Sequence, residues 1–567
     1  MVMFNDIKFD LPITYCEDKH TLSKDVIDDL ELYHVIHSRI FQTTNEFGIH
    51  TSKEWCKHIT SNVTFLEETQ LVINNMKNFD CFPKTDSSRI VEVWNDTKCN
   101  PNFLEKYNYI DWQKFIYFNE SPLFLQIMSS VNVFSPLISL VIPIIILLTP
   151  FFIAQIRGER ISFHEYLDLL KVIVMKHFFK GQVNIGFGYD KIIYIILYFG
   201  LYLMQMYQNV TICKRFYSNI QTVNQNLIDF KKYLGEISKK MVLFLDLNKN
   251  KSYKSFCDTT NRHLIVIQNF YHTLHKLTPF NCNISKLNEL GYLLSSYYEL
   301  MNNDVLHESL CFSVGFDGYL DNLSCIHYHI HNGFMANAIF DKNIDNSFIA
   351  KEQIYPPHIF FPDAVKNSVN LKKNIIVTGP NASGKTTYLK TTAINIILSQ
   401  QFGCGFYQKC FINPFNTIHS YLNIPDTSER DSLFQAETRR CKNILDIIDS
   451  SNTSSRHFCI FDELYTGTDA VSSSKASYGL LMYLCRRQNV SFILTTHYKN
   501  VCKKMGRIKC NNNKCIIKNF QMDVEENETG LVYAYKIKRG ISKVNGAIHI
   551  LKEMKYPDEI INEFINY

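Results

Sequence analysis

The sequence predicts a multidomain chain, α-helical through its first two thirds and α/β in its last third. Three observations carry that expectation. Apolar residues recur at helical spacing on both sides of a middle region. The middle region holds two long runs without a single charge. From about residue 350, short β-type runs alternate with helical stretches. At 567 residues the chain is also too long for one core.

Residues 1–120 form an acidic, mostly helical region, with Val26, Leu30, Leu32, Val35 and Ile36 as patterned apolar positions. It holds 12 Lys/Arg against 19 Asp/Glu, a net −7 in a chain of net charge +5. Such a segment is a poor grip for phosphate backbones, so any nucleic-acid surface is expected further along. The start, MVMFNDIKFD, has neither the basic nor the apolar region of a signal peptide.

Residues 121–213 are read as two membrane spans and their connecting loop. Ser121–Ile156 is 36 residues without a charge, more than the roughly 20 a bilayer requires. Pro136, Pro143 and Pro150 disfavour a soluble core helix, while membrane helices accommodate proline. The second run, Ile192–Cys213, is uncharged for 22 residues and carries several Tyr suited to the headgroup interface. The predicted spans are about 134–156 and 192–212. They form a hairpin that leaves both termini on one side. An ATP-using carboxy-terminal domain requires that side to be the cytosol. The loop, residues 157–191, gives only a weak orientation signal by its own Lys and Arg.

Residues 214–350 are expected to be long helices, with Leu227, Phe230 and Leu234, and Leu287, Leu290 and Leu294, at helical spacing. The polar stretch 247–255 marks a turn between them. Seventeen Cys in no framework spacing imply reduced thiols. His497, Cys502, Cys510 and Cys515 fit no standard zinc spacing.

Residues 351–567 carry the chemistry. Gly379-Pro380-Asn381-Ala382-Ser383-Gly384-Lys385-Thr386 matches the phosphate-binding P-loop, between an apolar strand (374–378) and an apolar-faced helix starting at Thr387. Backbone amides from Gly379 through Thr387 would surround the phosphates of ATP. Lys385 would neutralise the β- and γ-phosphates and Thr386 would bind Mg²⁺. A second apolar strand ends in Asp462-Glu463, 77 residues after Lys385. Asp462 is the second candidate Mg²⁺ holder and Glu463 the candidate general base. A third apolar strand ends in His497, a candidate γ-phosphate sensor. With Glu463 and Lys385, it completes the candidate catalytic set of an ABC-type ATPase.

Several of these motifs resemble the MutS family of mismatch-repair ATPases. TGPNASGKTTYL looks like that family's phosphate loop, FDELYTGTD its second motif and following D-loop, and TTHYKNV its histidine loop. Asp431-Ser432-Leu433-Phe434-Gln435-Ala436-Glu437 is similar to the Ser-Thr-Phe-x-x-Glu signature. The resemblance implies that Ser432 reaches a partner chain's ATP across a homo- or heterodimer of ATPase domains. Residues 535–561 are similar to the family's carboxy-terminal helix-turn-helix. The ordered match covers about 355–567.

Two features depart from ordinary MutS. The Gly-x-Phe-Tyr-Glu mismatch reader is missing, and Thr466 replaces the usual D-loop Arg. The hydrophobic segments resemble a membrane-anchored branch of MutS-like proteins. The expectation is a membrane-tethered, ATP-gated dimeric clamp on mismatched or branched DNA. The alternative is a membrane-anchored switch without mismatch reading, with a protein or branched-DNA partner. An ABC transporter subunit is the remote rival, because DSLFQAE is unlike the Leu-Ser-Gly-Gly-Gln transporter signature.

Overall fold

The computed structural model describes residues 9–43, 45–158, 162–178, 189–281, 283–341, 348–422, 424, 432–508, 517–527, 530–544 and 546–566. Cys510, Cys515, Asp431 and residues 159–161 and 179–188 of the 157–191 loop lie outside them.

The amino-terminal region is built of short helices and a two-stranded antiparallel pair, β1 (Lys19–Thr21) with β2 (His58–Thr60). Its helix α1 (Lys24–Asp29) starts at Ser23, whose side chain accepts from the Val26 N–H and so caps an exposed donor. Val26, Leu30, Leu32 and Ile36 are buried, as their spacing predicts. This region shares one continuous apolar core with the helices that follow and with the P-loop helix.

Helix α2 (Pro122–Ile156) runs for 35 residues, about 52 Å. Its first part packs on α4 (Leu290–Asn302): Gln126 donates to Leu287 O at 2.6 Å and accepts from the Gly291 N–H at 2.8 Å. A Cβ at Gly291 would stand 2.1 Å from Pro122 O, so only glycine allows this approach. Further on, α2 leaves the body. Leu137, Ile144, Ile145 and Ile156 are exposed.

Helix α3 (Tyr189–Leu247) is continuous for 59 residues, so the uncharged run and the helical body meet without a break at residue 214. It lies antiparallel to α2. Cys213 contacts Val133 O, whereas Tyr202 and Met206 contact Ser139. The prolines explain part of that pairing. A proline removes the N–H that would bond the carbonyl four residues earlier. Pro143 frees Ser139 O, which accepts from Tyr202 Oη at 3.4 Å; Pro136 frees Asn132 O, which accepts from Ser135 Oγ at 3.1 Å. Among the described residues, one helical stretch, Pro122–Ile145, is long and apolar enough to cross a membrane.

The body of α3 buries Leu227, Phe230 and Leu234 and packs on Lys254–Leu274, while its Tyr233 and Lys240 bond to Ser313 and Asp317 of α5 (Asp304–His331). The chain turns at 248–253, where the polar stretch predicts it.

The last third contains two sheets. The smaller joins β3 (Ala336–Phe340), β4 (Phe348–Gln353), β5 (Asn367–Asn370), β7 (Cys404–Gly405) and β8 (Lys409–Ile412) in the order β5-β4-β8-β3-β7. The larger comprises β6 (Asn374–Thr378), β9 (Thr417–Tyr421), β10 (His457–Asp462), β11 (Val490–Thr495), β12 (Ile517–Asn527) and β13 (Gly530–Arg539). Its order is β13-β12-β6-β11-β10-β9, parallel except at β13. Helix α6 (Lys385–Phe402) follows β6 and is largely buried; α7 (Leu433–Ser450) follows β9. Two short helices, Gly546–Glu553 and Asp558–Asn566, close the described chain.

Candidate nucleotide site

The larger sheet brings three loops to one edge. β11 lies between β6 and β10, in a register that pairs Val377 with Thr495 and Thr495 with Asp462. The P-loop, the Asp462-Glu463 pair and the segment ending in His497 therefore leave neighbouring strands at the same level. Ligands of parallel α/β sheets bind at this end of the strands.

The loop's own backbone builds a cradle at the start of α6. Ala382 takes φ 60° and Gly384 φ 91°, left-handed conformations that turn the chain into the helix. A side chain on Gly384 would be strained by that φ and would meet Tyr535. Lys385 is buried and folds back to donate to Gly379 O and Pro380 O, both at 3.2 Å. The acceptors here are neutral carbonyls, and anionic phosphate oxygens would bind the ammonium more strongly in their place.

Thr386 Oγ1 donates to Asp462 Oδ2 at 2.7 Å, and Thr495 Oγ1 donates to Asp462 Oδ1. A hydroxyl and a carboxylate oxygen beside a helix amino terminus are the hard oxygen donors that Mg²⁺ prefers, so this pair fits that ion. Glu463 adopts φ 51°, and its N–H donates to Thr495 O at 3.0 Å. Its carboxylate lies 2.9 Å from His497 Nε2 and 3.5 Å from Lys385 Nζ.

His497 Nε2 is also 3.2 Å from Lys385 Nζ. One ring nitrogen cannot serve both neighbours at once. With a lone pair it accepts from Lys385; with a proton it donates to Glu463. The shorter contact favours Glu463. The hydrogen bond from His497, with the Lys385 charge behind it, holds the Glu463 carboxyl below its ordinary range against burial. Burial lowers the Lys385 ammonium, and Glu463 and Asp462 oppose that shift.

A cavity of about 640 Å³ opens beside the cradle, lined by Asn381 through Tyr388 and by Glu463. Its far wall includes Tyr355, His358, Phe361 and Tyr535. These aromatic residues precede the P-loop or come from distant strands, and motif reasoning missed them. The excess of aromatics at 355–361 was the available signal.

Ser432 is not among the residues lining that cavity. It N-caps α7 in a capping box, its hydroxyl accepting from the Gln435 N–H at 3.3 Å while Gln435 accepts from the Ser432 N–H at 2.9 Å. Glu437, buried one turn on, accepts from the Thr466 N–H and hydroxyl at 2.8 and 2.9 Å and from the Gly467 N–H at 3.1 Å. The residue replacing the family's Arg is thereby tied to the signature helix. Among the described residues no cluster of His, Cys, Asp or Glu could hold a metal by itself, and Cys502 is buried as an ordinary apolar side chain.

A P-loop cradle, an Asp-Glu pair at the end of a nearby strand and a histidine just past the strand between them form the arrangement of a P-loop nucleotide-binding domain. Residues 375–566 match the family described as MutS domain V. The chain is 28% identical over 206 residues to the DNA mismatch repair protein MutS of Persephonella marina, covering 36% of this chain and 22% of that protein. It is 24% identical over 389 residues to MutS of Caldicellulosiruptor bescii, covering 67% and 38%. It is 27% identical over 233 residues to the DNA mismatch repair protein MSH3 of Saccharomyces cerevisiae, covering 40% and 21%. The matches thus span between about a fifth and two fifths of these relatives. The likeness to MutS proteins is thus strongest in the carboxy-terminal region, where the family model matches.

Proposed function

We propose that this chain is a Mg²⁺-dependent ATPase that switches a dimeric, membrane-tethered MutS-like clamp on DNA. The observation that carries the reading is the convergence of Lys385, Thr386, Asp462, Glu463 and His497 at one end of one sheet. Lys385 exchanges the carbonyls of its own loop for the β- and γ-phosphates. Thr386 and Asp462 hold Mg²⁺, which supplies neutralising charge on phosphate oxygens when bound. Glu463, kept ionised by its neighbours, polarises the attacking water. His497 moves between Glu463 and the phosphate end of the site.

Ser432, exposed at the amino terminus of α7, serves a partner chain's site, so hydrolysis requires paired domains. The exposed apolar faces of α2 and of the outer part of α3 supply the tether, and the ATPase domain faces the cytosol. The names of the relatives, DNA mismatch repair proteins, support mismatched DNA as the partner; branched DNA is the variant of the same reading.

The acidic first 120 residues, a poor grip for phosphate backbones, favour a second reading, a membrane-anchored switch with a protein or branched-DNA partner. The two separate by ATP hydrolysis of the full chain with duplex, mismatched and branched DNA, beside Glu463→Gln. A change with one DNA form, lost in the variant, supports the DNA clamp. Robust hydrolysis indifferent to every DNA, without salt-dependent binding, supports the second reading.

A further inference from the structure

The acidic segment around α1 touches β9, the helix α7 that begins after Ser432 and the P-loop helix α6. Asp29, buried, accepts through Oδ2 from Ser420 Oγ at 2.5 Å, the Leu422 N–H at 3.2 Å and Arg440 Nη2 at 3.1 Å. Asp25 pairs with Nη1 of the same arginine, whose Nε donates to Ser420 O at 3.0 Å. Arg440 stands on α7, three residues after Glu437 and so on an adjoining face. Two residues beyond Asp29, Glu31 pairs with Lys390 of the P-loop helix at 2.9 Å, and only 11% of the Lys390 side chain is exposed. Glu31 holds φ 56°, a conformation a non-glycine residue keeps only when its surroundings impose it.

We propose that Asp25, Asp29 and Glu31 are positioning residues of the nucleotide site, fixing the signature helix α7 at a set angle to the P-loop helix α6. The chain of contacts is short. Asp25 and Asp29 hold Arg440; the same helix carries Glu437; Glu437 holds Thr466 and Gly467, which follow Glu463. Glu31 anchors the same acidic segment to the helix that begins with Lys385. The segment thus makes direct contacts to both α6 and α7. None of these residues lines the nucleotide cavity. Their loss should therefore alter the catalytic step more than ground-state nucleotide binding.

The proposal rests on the ATPase reading above. The test uses the full chain and measures kcat, KM for ATP and thermal midpoint for Arg440→Ala, Arg440→Lys, Glu31→Lys, Lys390→Glu and the exchanged pair Glu31→Lys with Lys390→Glu. Arg440→Ala and each single charge reversal are expected to lower kcat about tenfold with KM within about twofold. Arg440→Lys should recover part of the loss and the exchanged pair most of it, at an unchanged folded fraction. Unchanged kcat, a raised KM with intact kcat, a loss that tracks unfolding, or an exchanged pair no better than its single reversals would each overturn the proposal. A wild-type chain that hydrolyses no ATP, equal to Lys385→Ala, would sink the ATPase reading and this proposal with it.

Discussion

Glu437 Oε1 accepts two hydrogen bonds from one residue, the N–H of Thr466 at 2.8 Å and its hydroxyl at 2.9 Å. The carboxylate is 2% exposed, so both bonds are made away from water. Thr466→Val removes one bond and leaves its buried acceptor. It is expected to cost about 1–3 kcal/mol in denaturant unfolding. Glu437→Gln should cost as much and also slow hydrolysis, since the tied segment follows Glu463. A stability unchanged in both variants would show that the pair carries no weight.

Glu463→Gln keeps the shape of the site and removes the charge that polarises water. Hydrolysis should drop by about 10²–10⁴ while ATP binding, read by equilibrium dialysis, persists. The ionisation of Glu463 also sets a pH limit. Its folded carboxyl titrates below the ordinary value of 4.5, so its stabilising contribution is fully present above that value and is lost as pH falls through the lower folded one. Loss of activity with a midpoint above pH 5 would have to come from another group.

Two buried histidines should make the sheet edge acid-sensitive. His419 Nε2 lies 3.1 Å from His457 Nδ1, and His457 Nε2 lies 2.8 Å from Ser451 Oγ. Burial pushes their pKa values down to about 3 and about 4. In the unfolded chain both bind protons near pH 6.5. Between those limits the unfolded chain holds more protons, so stability falls as pH falls from 6.5 toward 4. Thermal midpoints across that range should fall less steeply in His419→Phe than in the wild type. Parallel slopes would refute the assignment.

The pairing of α2 with α3 can be trapped chemically. Cys213 Sγ lies 3.5 Å from Val133 O, so Val133→Cys should cross-link to Cys213 under mild oxidation, seen as a joined peptide by mass spectrometry. A cysteine at Leu123, ten residues earlier on α2, should not. Cross-linking at both, or at neither, would contradict the antiparallel register.

The proposed tether predicts a separate outcome. Ile144 and Ile145 are each 54% exposed. Ile144→Lys with Ile145→Lys should move the full chain from the floating vesicle fraction to the soluble one, because each buried charge costs about 2.5–3.5 kcal/mol at a helix centre. A variant that still floats would mean that this face does not enter lipid.

The parts of this molecule legible in sequence were those governed by local rules. The P-loop needs glycine at a fixed spacing, so Gly384 and Lys385 identified themselves, and the strand ending at Asp462 followed from an apolar run; the strand expected to end in His497 stops two residues short, at Thr495. Leu227, Phe230 and Leu234 fell inside by period alone. What stayed hidden depends on contacts between distant residues. Nothing near Asp29 announces Ser420 or Arg440, and Glu31 gives no local sign of Lys390. The aromatic wall at Tyr355–Phe361 needs the fold to meet the cradle. The lack of a break at residue 214 was hidden for a different reason: polarity changes there, but helix propensity does not, so one helix passes from an uncharged run into a patterned one.

The seal that α1 forms on β9 has a consequence during synthesis. β9 is one of the two edge strands of the larger sheet, and Asp29 lies 391 residues before its partner Ser420. At about 5–20 residues per second, a ribosome needs about 20–80 s between making one and making the other. For that interval the acidic segment has no Arg440 or Ser420 to bind. When β9 emerges, the piece that shields its open edge from other chains is already waiting.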